Sequence, residues 1–141
     1  MERLSQGTTF FYLKTFSLVK RYNTDKVNLY MNWIAIQSEN QLEEIRRRST
    51  ERPQVIFKHS TRCSTSALVK SRLERGSHPI HQHIEFYYLD LLNYRPISNK
   101  IAETFLVEHE SPQILIIRNG ECVYDESHLG ISMDDILERA A

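Results

Sequence analysis

The chain has 141 residues, the size of one ordinary domain that can bury a core without cross-links. Hydrophobic residues make up 40% and charged residues 26%, a globular composition, and 18 basic side chains balance 18 acidic ones, so no net field points to nucleic acid or an anionic membrane. Two cysteines, Cys63 and Cys122, are too few for a disulfide-stapled scaffold and match no zinc-finger spacing, which predicts reduced thiols in a cytoplasmic protein.

Residues 1–30 carry five basic and two acidic side chains, leaving 13 and 16 for residues 31–141. The partly apolar stretch Phe10–Val19 is interrupted by Lys14, which argues against a signal-peptide centre. The first thirty residues are therefore read as an N-terminal extension outside the fold, and residues 31–141 as the domain. No apolar run approaches membrane-spanning length. Asn32–Gln37 alternates weakly and is expected as a first strand. Ser38-Glu39-Asn40-Gln41 reads as a capping box, opening a helix with Leu42, Ile45 and Ser49 on one face and Arg46–Arg48 on the other. Pro53 closes that helix and introduces a short buried strand, Gln54–Lys58. A polar hinge, His59–Arg62, leads to Cys63 and a helix through about Glu74.

Gly76–Gln82 reads as loop, and Ile84–Leu91, with Phe86, Tyr87 and Tyr88, is the richest strand signal in the chain. Pro96 suits the first position of a helix whose Ile97, Ile101 and Phe105 form a stripe. Gln113–Arg118 is a buried strand. Asn119-Gly120 predicts a hairpin turn, with Glu121–Asp125 returning antiparallel. Ser132 caps a final helix carrying Ile136 and Leu137. Strand–helix–strand steps demand parallel neighbours, and the late hairpin adds antiparallel ones. The expectation is an α/β fold: a thioredoxin-like mixed sheet flanked by helices, singled out from other α/β folds by a cysteine where the main strand meets its helix.

A thiol attacks disulfides only as the thiolate. A helix start supplies free N–H groups and the positive end of the dipole. Cys63 falls there, with Arg62 adjacent and Lys58 and His59 close by; all three favour the anion if they point toward it. Placement alone leaves open a small, buried, inert cysteine. Ser66 stands where a C-x-x-C motif would have its second thiol, so no local disulfide forms. A mixed disulfide must then be resolved by a diffusible thiol or by Cys122, and Cys122 reads better as a strand residue without a redox role. Ser111-Pro112 precedes a strand in the position where a thioredoxin-like fold has a cis proline facing the cysteine, and the residue before it can offer backbone groups to an extended substrate. His59, His109 and His128 invite a metal site with Cys63, but their spacing fits no ligand cadence. His78, His81 and His83 read as solvated.

The segment Phe57-Lys58-His59-Ser60-Thr61-Arg62-Cys63, followed by Ser66, resembles the active-site segment of the monothiol bacilliredoxins. Tyr94-Arg95-Pro96-Ile97-Ser98-Asn99 and Val107-Glu108-His109-Glu110-Ser111-Pro112-Gln113 resemble two further blocks of that family, and Asn119-Gly120 and Ser127-His128 fit as well. The likeness runs from about Asn32 to the C-terminus. It implies a thioredoxin fold in a bacterial cytoplasm and a thiol–disulfide oxidoreductase that removes bacillithiol from client mixed disulfides. Cys63 would be the nucleophile, and Lys58, His59, Arg62, Ser66, Ser111 and Pro112 would face the substrate. Bacillithiol, whose malate carboxylates suit Lys58, His59 or Arg62, would be the co-substrate. No cofactor, nucleic acid or membrane partner is expected, and the protein would be a monomer or weak dimer. Two departures stand out: many members have proline directly after the cysteine, where this chain has Ser64, and Thr65 replaces an aliphatic residue. The rival readings are an iron–sulfur or metal carrier of monothiol-glutaredoxin type, which usually has glycine and phenylalanine after the cysteine, and a non-catalytic binding module.

Overall fold

The computed structural model describes residues 31–78 and 81–141. The reading of residues 1–30 lies outside them. The elements run β1 (Ile34–Ala35), α1 (Asn40–Arg48), β2 (Gln54–His59), α2 (Ser64–Gly76), β3 (Glu85–Asp90), α3 (Arg95–Phe105), β4 (Gln113–Arg118), β5 (Glu121–Ser127) and α4 (Met133–Ala140), with a 3-10 turn at His128–Gly130. The five strands form one sheet in the order β1-β3-β2-β4-β5. β1 and β2 each pair parallel with β3, while β4 pairs antiparallel with both β2 and β5.

β2 is buried at every position because it has a strand on each side and helices over each face. Strand alternation sends Val55 and Phe57 into a core layer with Val69 and Leu73 of α2 and Ile136 of α4. Ile56 faces the other layer, with Leu42 and Ile45 of α1 and Ile97, Ile101 and Phe105 of α3. Trp33 closes one edge of the first layer: its ring stacks on Phe57 at 5.5 Å between centroids and its indole N–H donates to Glu74 at 2.9 Å.

Most predicted elements are present, with instructive differences. β1 is two residues long rather than six. The amides of Gln37 and Ser38 donate to the Gln41 side chain, at 2.6 and 3.0 Å, which turns the chain into α1 instead of extending the ladder. That is half of the expected capping box. The N-cap is Glu39 in a helical conformation, without a side-chain cap, so Ser38 does not supply the other half. The helix after Cys63 continues to Gly76, and β2 runs one residue further than expected, taking His59 out of the hinge.

The hairpin turn has φ of 52° at Asn119 and 79° at Gly120, the two positive values such a turn demands. Ser49, at the C-terminal end of α1, fastens it: its hydroxyl accepts from the Gly120 amide at 2.8 Å, and its carbonyl accepts from the Asn119 amide at 2.9 Å. Ser132 caps α4 as predicted, accepting from the Asp135 amide. Among the described residues, no helix is long and apolar enough to cross a membrane.

Candidate active site

The centre of the sheet ends in a turn. β2 stops at His59, and the Cys63 amide donates back to the Ser60 carbonyl at 3.2 Å. Cys63 is the N-cap of α2, with extended backbone (φ −104°, ψ 118°), and its carbonyl accepts the first helical bond from Ala67 at 3.1 Å. The half-exposed thiol therefore stands at the positive end of a 13-residue helix whose first turn contains no acid.

The register of β4 brings a second segment beside this turn. Gln113 pairs with Lys58 as the last pair of the ladder, so the Ser111–Pro112 bond lies just beyond it, at the end of the sheet where β2 leads into the Cys63 turn. The Ser111–Pro112 bond is cis, as expected from the sequence, and the buried Pro112 accepts from the His128 amide at 2.9 Å. The Ser111 hydroxyl oxygen is buried with no partner among the described residues. His128 has φ of 57° and its Nε2 lies 3.1 Å from Glu110, tying the loop before the cis proline to the end of β5.

Lys58 and His59, neighbours in sequence, face opposite layers of the sheet. His59 is 5% exposed, with Nδ1 2.7 Å from the Ser66 hydroxyl, which itself accepts from the Ser60 amide at 3.1 Å. The hydroxyl thus bridges the Ser60 amide and the His59 ring, with the direction of its bond to Nδ1 set by the tautomer of the imidazole. Burial, with Lys70 adding to it, holds the His59 pKa below the usual histidine value. Ser66 is fully buried. It is expected from the sequence to face substrate; instead it holds the end of β2 and the following turn against the helix, because the His59 ring and the Ser60 amide both bond its hydroxyl.

Lys58 also departs from the expectation of a substrate-facing cation. It is 0% exposed, and its amine lies 3.4 Å from the Ser98 carbonyl and 3.3 Å from His109 Nδ1. Burial pushes its pKa down to about 8. His109 is in turn held below the usual histidine range by burial and by the charges of Lys58 and Arg95. Sequence reading missed this partnership. The signal available was the strand period, which sends Lys58 to the face opposite His59.

Arg62 is exposed and lines a cleft of about 370 Å³ with Thr61, Leu92 and Asn93. A larger cavity, about 500 Å³, is lined by Met31, Arg52, His81 and Met133 among others, includes none of these turn residues, and borders the start of β3. Cys122 pairs with Ile117, which pairs with Gln54 at the far end of β2. The five residue steps of β2 alone span about 16 Å, and a disulfide needs Cα atoms within roughly 7 Å. Cys122 therefore cannot resolve an adduct on Cys63 within the chain, and burial raises its thiol pKa to about 11. The three histidines considered for a metal are engaged separately, His59 by Ser66, His109 by Lys58 and His128 by Glu110. No group of three His, Cys, Asp or Glu side chains arranged to hold a metal occurs among the described residues.

Known proteins resemble this chain in sequence or in fold. The family model described as monothiol bacilliredoxin BrxC matches residues 34–136. A solved protein with a thioredoxin fold and a proposed oxidoreductase activity is 28% identical, with a TM-score of 0.65 over 77% of this chain and 93% of its own. Thioredoxin from Malassezia sympodialis is 17% identical with a TM-score of 0.60, covering 76% of this chain and 90% of that one. Thioredoxin from Trypanosoma brucei brucei is 17% identical with a TM-score of 0.58, covering 78% and 87%. The two thioredoxins carry the fold alone.

Proposed function

The chain belongs to the monothiol bacilliredoxin family, and from that premise we propose that it removes a low-molecular-weight thiol, bacillithiol, from mixed disulfides on client proteins in a bacterial cytoplasm. Its family and fold are those of thiol oxidoreductases; the substrate, clients and compartment are the proposal. The observation that carries it is Cys63 at the N-terminus of α2, beside a cis-proline loop, with a buried serine three residues on and the other cysteine of the chain at the opposite end of β2.

The Cys63 thiolate attacks the small-thiol sulfur of the client mixed disulfide. The client sulfur leaves as a thiolate and takes a proton from water, and a Cys63–small-thiol disulfide remains. A second small thiol, as its thiolate, attacks the small-thiol sulfur of that adduct, releasing its own symmetric disulfide and restoring Cys63. The net reaction takes one client mixed disulfide and one free small thiol to the client thiol and one symmetric small-thiol disulfide, so the number of disulfides is conserved. The residue before Pro112 offers main-chain groups along which a client segment lies as an added strand.

The test is incubation of the protein with a client protein bearing bacillithiol, read by intact mass. Wild type and Cys122→Ser are expected to gain one small-thiol adduct on Cys63 and to free the client, whereas Cys63→Ser does neither. An adduct on Cys122, or an unreacted client with wild type, would overturn the proposal.

A further inference from the structure

Because β2 lies between β3 and β4, the turn bearing Cys63 has two flanks of different chemistry. The β4 flank is the cis-proline loop, whose offering is backbone. The β3 flank is the polar cleft between Thr61-Arg62 and Leu92-Asn93. Its volume, about 370 Å³, falls within the usual size of small-molecule clefts.

Arg62 is the reactive cation in that cleft. It is exposed and forms no ion pair among the described residues, whereas Arg46, Arg47, Arg48 and Arg52 each meet a glutamate. Asp90, the acid closest in sequence to the cleft wall, accepts from the Asn93 amide at 2.6 Å on one oxygen, and its other oxygen is buried away from the cleft surface with no partner among the described residues. Thr61 adds a hydroxyl, and Leu92, 38% exposed, adds a small apolar wall. Arg95, two residues beyond Asn93, is a second exposed guanidinium, at the start of α3. Lys58, also close in sequence to the turn, is sealed in the core and cannot reach a ligand here. An open guanidinium in the cleft wall beside hydroxyl and amide groups, one residue from Cys63, matches a hydrophilic thiol that carries a carboxylate.

We propose that the β3-flank cleft is the subsite for the carboxylate of the low-molecular-weight thiol, with Arg62 as its anion contact, while the cis-proline flank is left to the client chain. This rests on the function proposed above and divides that one site in two. Bacillithiol and glutathione both carry carboxylates, so the shared chemistry is the claim, and the choice between them is read out by the same experiment.

The experiment measures the rate at which Cys63 is labelled by four symmetric disulfides: bacillithiol disulfide, glutathione disulfide, and each of the two with its carboxylates amidated. Wild type should prefer an acid form over its amide, and the source is the acid with the larger preference. Arg62→Ala should lower that acid-to-amide rate ratio about tenfold, the worth of one charge-assisted hydrogen bond. Arg62→Lys should retain part of it, and added salt should erode it. A ratio that is unchanged in Arg62→Ala would overturn the subsite while leaving thiol exchange standing, as would a wild type indifferent to amidation. Failure of all four disulfides to label wild-type Cys63 would instead sink the function itself.

Discussion

Replacing Lys58 by methionine removes the buried amine while keeping a long, unbranched side chain in its place. In the wild type this amine is 0% exposed, and burial pushes its pKa from 10.5 down to about 8. Unfolding returns it to water and to its ordinary value. A group whose pKa is lower in the fold binds fewer protons there, so native stability is least below pH 8 and rises as pH climbs from about 8 towards 10.5. The shift corresponds to roughly 3 kcal/mol of destabilisation at pH 7, and losing the contact with the Ser98 carbonyl offsets about 1 kcal/mol of the gain on substitution. Lys58→Met is therefore expected to be about 2 kcal/mol more stable than wild type at pH 7. That advantage should shrink by roughly 2 kcal/mol at pH 9.5, where the wild-type amine is largely neutral in the fold. Urea unfolding of both proteins at the two pH values measures both quantities, and the comparison cancels every other group that titrates alike in the two chains. A variant less stable than wild type at pH 7, or a difference that does not move with pH, would refute the account of Lys58 as a desolvated cation.

Two further outcomes follow from the hydrogen bonds. Ser66→Ala leaves the Ser60 amide and His59 Nδ1 without their partner, so it should destabilise by about 1–3 kcal/mol in thermal unfolding; a change below about 0.5 kcal/mol would mean that the turn is held by other contacts. Ser49→Ala removes the acceptor for the Gly120 amide and should lower stability by about 1 kcal/mol while speeding hydrogen exchange at that amide. Unaltered protection at Gly120 would show that the Ser49 hydroxyl does not hold that amide.

What the sequence made legible was mostly local. The Gln113–Arg118 run and the Asn119-Gly120 pair specify a strand and a turn by their own chemistry, and both stand where expected. Cys63 was placed by the junction of a buried strand with a helix, a pattern contained within about twenty residues. Lys58 illustrates the opposite case. Its burial depends on Ser98 and His109, 40 and 51 residues away, and a lysine near a strand end reads as wet until those partners are known. Ser66 misled for a related reason: a serine in an active-site motif looks like a substrate contact, yet the turn it follows satisfies it completely. Ser38 fails as a cap because the helix takes its N-cap one residue later, at Glu39, although Gln41 still reaches back to the Ser38 amide, and a boundary shift of one residue is not readable from composition.

The separation of Cys63 and Cys122 along β2 has a consequence for survival under peroxide. An oxidised cysteine passes through a sulfenic acid, which is rescued by condensing with a second thiol and otherwise proceeds to the irreversible sulfinic form. Proteins with a neighbouring cysteine carry their own rescue. In this fold the other cysteine of the chain lies at the far end of the central strand, half-buried and with its pKa raised to about 11, so little of it is thiolate at neutral pH. A sulfenic acid at Cys63 therefore waits for a thiol that arrives by diffusion. Rescue of that acid is then set by the surrounding pool of small thiols, and under the turnover proposed above the Cys63 adduct is also the cap that shields the nucleophile from destruction.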